Sequence, residues 1–354
     1  MQQLDFGIID AHIHQWDPYS TPHAAATAVK LLGKHPKLLD KMMRMLKPKD
    51  LIETLGLTQH VTSPYLPSDY KADIGRYAVE QVVHVEASWH DHKGKGVIGE
   101  TEFISKLPFA QEGLKLGAIV GTADPRDSSF KKILKLHQKA SPKFRGIRKM
   151  AAAHEDRQIH AWADEPHLYI NKKFMKGFEA LAAMDLSFDA WVYSTQLPDL
   201  IKLAKAFPET SMVLDHFGTP AGLFGPVGAH TGITQTAREN ILFRWQDDIA
   251  ELSRCPNVYT KMSGLFMPVL GHGFHKERRL ANKDEVFDLA YPMIHHVLNC
   301  FGKYRVIFAS NFPMDSVSTS LVNIIDAFSD AVAAYDPDAL SHVFRHNAKQ
   351  FYRM

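Results

Sequence analysis

Residues 8–14 read Ile-Ile-Asp-Ala-His-Ile-His, a short apolar run closed by two imidazoles. Side chains two apart on a strand point to one face, so His12 and His14 can converge on one point where the strand ends. Outward from this run, short β-branched stretches alternate with longer stretches of helical periodicity to the end of the chain. The strand candidates are Gly7–Ile13, Val79–Val85, Leu114–Gly121, Phe144–Met150, Leu186–Tyr193, Ser211–Asp215, Asn257–Ser263 and Arg305–Ala309. Helix candidates between them include Phe130–Lys139, Lys173–Met184, Leu197–Phe207, Ile241–Arg254, Val286–Phe301 and Val317–Tyr335. Eight strand–helix units fit a closed parallel (β/α)8 TIM barrel better than a doubly wound sheet, which usually has fewer strands and a glycine-rich first turn. No G-x-G-x-x-G or G-x-x-x-x-G-K-[ST] follows any of these strands.

The 354 residues are expected to form one domain, since no linker or internal repeat divides them. Two segments exceed a minimal barrel. The first, residues 17–73, holds a basic run from Lys30 to Lys49 interleaved with Leu38, Leu39, Met42, Met43, Met45 and Leu46. Its spacing predicts one amphipathic helix, either a solvated face over a packed stripe or a lid or partner surface, and its apolar residues are compatible with a homodimer. The second, Gly264 to Lys283, carries Gly271, His272, Gly273 and His275 after the seventh strand and reads as an active-site loop.

Composition narrows the function classes. Apolar residues at 45% and charged residues at 23% describe an ordinary globular chain, and a net charge of +2 gives no field to hold a nucleic acid. Cys255 and Cys300 cannot build a disulfide framework and lack metal-ligand spacing. With no basic-then-apolar leader and no run of about 18 apolar residues, the expectation is a cytoplasmic protein without a membrane partner, acting on a small molecule. The count of 20 histidines points towards metal ligation or proton transfer near neutral pH.

In a barrel of this type the reactive groups sit where strands end. The first strand delivers Asp10, His12 and His14; the second His84 and Glu86; the third Asp124; the fourth Arg145, Arg148 and Lys149. The fifth gives Trp191 and Tyr193, the sixth Asp215 and His216, the seventh Lys261 and Ser263, and the eighth Asn311 with Asp315 beyond it. Spacing alone proves little, because chance predicts roughly one H-x-H pair and the chain has a second, His90 and His92. Context separates them: the first pair closes an apolar run, the second lies in a polar loop. An arginine within a parallel strand is costly unless paired, so Arg148 should face a carboxylate of protein or substrate, and Glu86 is either such a partner or a reacting group.

Taken together, IIDAHIHQWDP from Ile8, FRGIR from Phe144, the run from Leu197 to Pro220, NVYTKMSGL from Asn257 and RVIFASNFPMD from Arg305 resemble the amidohydrolase-related family. The likeness is greatest to its branch of sugar and aromatic lactonases, represented by L-fuconolactonase and 2-pyrone-4,6-dicarboxylate lactonase. It implies a (β/α)8 barrel and a hydrolase that opens a cyclic ester of a sugar acid or of an aromatic-degradation intermediate. It implies His12, His14 and His216 as ligands of a divalent metal, zinc or manganese, in those members that carry one; other members work without a metal. Arg148 falls on the family's G-x-R position and Glu86 on the acidic end of the second strand; with Arg145 and Tyr193, Arg148 is expected to hold substrate.

One position departs from the pattern. Where the family's eighth strand commonly ends Ser-Asp-Phe/Trp-Pro, this chain reads Ser310-Asn311-Phe312-Pro313. An amide orients water or substrate but cannot accept a proton as a carboxylate does. The proton acceptor must then be Asp315, Glu86 or a histidine such as His216. Two alternatives follow: a metal-dependent decarboxylase on the same scaffold, or a binding homologue with little activity.

Overall fold

The structure, a computed structural model, describes all residues except 1–3, 24, 88, 92, 93 and 278. Its centre is a parallel sheet of β1 (Ile8–Ile13), β2 (Val79–Val85), β3 (Lys115–Thr122), β4 (Phe144–Met150), β5 (Ser187–Trp191), β6 (Met212–Leu214), β7 (Val258–Met262) and β8 (Val306–Phe308), each paired with the next. These runs are apolar almost throughout because both faces are covered, by helices outside and by side chains within. β8 meets β1 just past its end. There Ile13 bridges Phe312, His14 N donates to Phe312 O at 2.8 Å and Asn311 N donates to His12 O at 2.9 Å. The eight expected strands are all present, and the barrel is nearly closed.

The outer helices follow their local signals. Asn171, Thr234, Asn282 and Ser320 cap the helices Lys172–Ala182, Gln235–Ser253, Lys283–Phe301 and Leu321–Tyr335 by accepting from backbone N–H groups of the first turn. Among the described residues no helix is long and apolar enough to cross a membrane.

The expected single helix of the first insertion is instead three: α1 (Ala26–Leu32), α2 (Pro36–Leu46) and α3 (Lys49–Leu55). Pro36 stands at the first position of α2 and Pro48 caps α3, and a proline disfavours helical conformation in the residue before it, so a helical periodicity cannot run through. Leu39 and Met43 pack with Ala25 and Val29, while Leu31, Leu38, Met45 and Leu46 are exposed. The insertion is fixed to the barrel further on, where Tyr70 Oη donates to Asp10 Oδ2 at 2.8 Å and Trp16 N to Tyr65 O at 3.1 Å. Asp10 itself accepts from Ser310 N at 2.9 Å and so ties β1 to β8. Of the second H-x-H pair, His92 lies outside the described residues.

Candidate active site

His12 and His14 leave β1 on the same side, towards the carboxyl ends of the strands, and both are buried. His14 Nδ1 donates to Val85 O at 2.9 Å; a carbonyl only accepts, so the proton is on Nδ1 and His14 Nε2 carries a lone pair. That lone pair faces His12 Nε2 at 3.2 Å and Asn311 Oδ1 at 3.3 Å. Asn311 is turned this way because its Nδ2 donates to Asp315 Oδ1 at 2.8 Å. Burial above all holds the imidazoles neutral: it takes His14 down to about 3 and His12 and His216 well below their usual range. Arg148 Nη1, which can only donate, lies 3.3 Å from His12 Nε2, and His12 Nδ1 lies 3.3 Å from Asp215 Oδ1, so with the His12 proton on Nδ1 three acceptors point at one another.

His216 comes from the turn after β6, and its Nδ1 is 2.9 Å from Ser263 Oγ. A Cβ at Gly264 would lie 2.6 Å from the His216 ring, so glycine is what lets the chain leaving β7 pass this imidazole. His216 has φ 56° and Asn311 φ 60°, left-handed backbone at two non-glycine residues of one site. Such conformations are held only where the surroundings over-determine them, and they cluster at functional sites.

Beneath the imidazoles lies a buried charge network. Lys261 Nζ is 2.6 Å from Asp189 Oδ2, 3.0 Å from Asp215 Oδ1 and 3.2 Å from His12 Nδ1. Tyr352, two residues from the carboxyl end, donates to Asp189 Oδ2 at 2.7 Å. Burial raises the Asp189 carboxyl to about 6 against the opposing pull of Lys261. On the other side Arg148 donates through Nε to Glu86 Oε1 at 2.8 Å and through Nη2 to Glu86 O at 2.7 Å, which leaves Nη1 facing His12 Nε2 at 3.3 Å. Gly146, two residues earlier, has β5 backbone where a Cβ would be, 2.2 Å from Ser187 O.

The structure thus gathers His12, His14, His216, Arg148, Glu86, Asn311 and Asp315 around one mouth. Two expected substrate-binding residues are elsewhere. Arg145 donates to Pro142 O at 2.7 Å and Phe144 O at 3.1 Å, at the opposite end of β4 from the mouth. Three positions separate it from Arg148, and an odd separation on a strand puts side chains on opposite faces. Tyr193 is buried and spends its hydroxyl on His160 O at 2.8 Å, so it stays in the fold and offers nothing to a ligand. Asp189 and Tyr352 were missed by sequence reasoning, and Lys261 was noted without a role. The signal for Asp189 and Lys261 was available, since each is an ionisable residue inside a buried parallel strand.

A cavity of about 80 Å³ opens on His14, Arg148, His216 and Asn311 and is otherwise walled by tryptophan, methionine and aliphatic side chains. Thr54 and Leu55 of α3 cover it from one side, and Met267 and Pro268 of the second insertion from another. His275 of that loop lines an outer groove instead.

The residues fit a divalent cation. Two imidazole lone pairs 3.2 Å apart are spaced as two ligands of one ion bound at about 2.1 Å, and the hydrogen bond to Val85 O is the kind of outer contact that orients a ligating histidine. His12, Asp215 and His216 also offer donor atoms within 4.8 Å of one another. The Arg148 guanidinium adds a fixed positive charge on the same side.

A nearly closed (β/α)8 barrel whose strand ends converge histidines, an arginine and buried carboxylates on one small cavity is arranged as barrel enzymes are, with the site at the carboxyl ends of the strands. Residues 9–354 match the amidohydrolase family, and the chain belongs to it. It is 26% identical over 353 residues to L-fucono-1,5-lactonase of Burkholderia ambifaria, covering 98% of this chain and 95% of that one. Its fold matches a zinc-bound amidohydrolase from Burkholderia multivorans at a TM-score of 0.69 and 20% identity, over 99% of this chain and 100% of the other. It also matches a probable 2-pyrone-4,6-dicarboxylic acid hydrolase from Acinetobacter baumannii at a TM-score of 0.60 and 11% identity, over 99% and 100% of the two chains.

Proposed function

We propose that this protein hydrolyses a lactone or similar cyclic ester by attack of water on the ring carbonyl. The observation that carries the reading is the convergence of three lone pairs, on His12 Nε2, His14 Nε2 and Asn311 Oδ1, beside the Arg148 guanidinium in a small cavity. The likeness to L-fucono-1,5-lactonase along nearly the whole chain supports the same reading.

Each group has a defined task. Arg148, fixed by two bonds to Glu86, presents Nη1 to a carbonyl or carboxylate oxygen of the substrate. Asn311 Oδ1 accepts a hydrogen bond from the attacking water and sets its direction, since an amide cannot take the proton. His216, whose Nε2 is available when Nδ1 donates to Ser263 Oγ, takes the proton of the attacking water and returns it to the ring oxygen as the bond from the carbonyl carbon to that oxygen breaks. His12 and His14 would hold a divalent cation through their Nε2 atoms, and such an ion supplies Lewis-acid polarisation of the carbonyl. Glu86 serves as the anchor of Arg148 and Asp315 as the anchor of Asn311.

The test is product analysis on a lactone panel. Formation of the hydroxy acid at a rate well above background supports the reading. Release of carbon dioxide from carboxylated substrates without ring opening would replace it with a decarboxylase, and turnover at background with intact binding would replace it with a binding protein.

A further inference from the structure

The walls of the cavity differ from its reacting edge. Trp16 and Trp191 stand on two sides of the imidazoles: the Trp16 ring stacks on His14 at 6.3 Å, and Trp191 meets His216 edge-on at 5.8 Å. Trp162 continues the second side, 5.2 Å from Trp191, and Met150, Met267 and Met314 fill the spaces between. The polar handles of two of these rings are spent on the protein. Trp16 Nε1 donates to Ser63 O at 2.8 Å and Trp191 Nε1 to Thr219 Oγ1 at 2.9 Å. The hydroxyl of Thr54 is spent too, on Asp50 O at 2.9 Å. What these walls present to a ligand is therefore ring faces, thioether chains and a single indole N–H, Trp162 Nε1, which has no hydrogen-bond partner among the described residues.

We infer that the substrate of this site is a compact lactone carrying a planar aromatic or otherwise apolar body, with its polar groups confined to the ester end, rather than a polyhydroxylated sugar lactone. The inference rests on the lactonase reading above for the reaction and on the cavity alone for the shape and polarity. A sugar lactone would bury several hydroxyls against these walls, and each unpaired hydroxyl weakens binding. A planar apolar body stacks on Trp162, with Trp191 tilted 44° beside it, and leaves its carbonyl beside Arg148 and the imidazoles.

The experiment pairs binding with turnover so that the two readings fail separately. Binding is measured by calorimetry with two non-hydrolysable lactams, 3,4-dihydro-2-quinolinone and a trihydroxylated δ-lactam. Turnover is measured with dihydrocoumarin and with L-fuconolactone. The inference predicts that the aromatic lactam binds at least about tenfold more tightly and that Trp162→Ala abolishes this preference. Trp162→Phe, which keeps a ring and guards against a folding defect, should retain most of it. Equal or tighter binding of the hydroxylated lactam overturns the inference whether or not either lactone is hydrolysed. Preferred aromatic binding without hydrolysis of either lactone upholds the inference about the ligand and removes the lactonase reading.

Discussion

Asn311 donates to Asp315 across 2.8 Å, and this bond decides which end of the Asn311 amide faces His14. Position 311 is an amide, and the Asp315 carboxylate four residues later lies directly behind it. Burial raises Asp315 to about 7, against the hydrogen bonds from Asn311 and from Phe266 N that favour its charged form. As the pH rises through that value the carboxylate forms and accepts from both donors, so the orientation of Asn311 tightens. Plots of kcat/KM against pH should show a rising limb near 7 that disappears in Asp315→Asn; a limb that persists in the variant assigns it to another group.

Arg148 and Glu86 form a buried pair with two bonds on one guanidinium. Glu86→Gln leaves the guanidinium with Asp215 Oδ2, 3.7 Å from Nη1, as its nearest carboxylate, and removing one partner of a buried pair costs about 3–5 kcal/mol. We expect that loss in urea unfolding and at least about a hundredfold drop in kcat/KM. Arg148→Lys should not restore activity, because an ammonium cannot bond Glu86 at two points while reaching His12. Unchanged kinetics in Glu86→Gln would remove Arg148 from the reacting edge.

Tyr352 closes the charge network from the carboxyl end of the chain. Among the described residues Asp189 Oδ1 has no hydrogen-bond partner, and Tyr352→Phe leaves Lys261 as the one described partner of that carboxylate. The expected cost is about 1–3 kcal/mol of stability, read as a lower urea midpoint with unchanged slope.

His137 offers a test of acid stability away from the mouth. Its Nε2 donates to Thr122 O at 3.0 Å and its Nδ1 accepts from Thr101 Oγ1 at 2.8 Å, so the folded protein holds it neutral, and burial lowers it to about 4. The folded value lies below the unfolded value of about 6.5. Its contribution is therefore complete above pH 6.5 and is lost as the pH falls towards 4, up to about 3 kcal/mol. Unfolding titrations at pH 7.5 and 4.5 should show a smaller pH loss in His137→Gln than in wild type.

Much of the barrel and of its mouth is legible in the sequence, for physical reasons. Parallel strands buried on both faces are short apolar runs bounded by breakers, and β2 and β4 begin and end where that pattern does. His12, His14, His216 and Arg148 are legible because imidazoles and a guanidinium at the ends of such runs have no cheap structural reason to be there. Arg145 illustrates what local reading loses when strand alternation is ignored. The break between α1, α2 and α3 was written in Pro36 and Pro48, yet the interleaved basic and apolar residues masked it. Tyr352 and the tryptophan walls were not legible, because they depend on which distant loops fold over the mouth. Trp16, Trp162 and Trp191 come from three separate segments, and no spacing relates them.

Whether the converging imidazoles of His12 and His14 act on a cyclic ester can be read from where the oxygen of water ends up. The direct measurement is hydrolysis of a hit lactone in heavy-oxygen water, followed by mass spectrometry, for wild type and His12→Ala. The expected product is a hydroxy acid with one heavy oxygen in its carboxylate, formed at least about a hundredfold more slowly by the variant. Equal rates in the two proteins, or carbon dioxide in place of a labelled hydroxy acid, would contradict it.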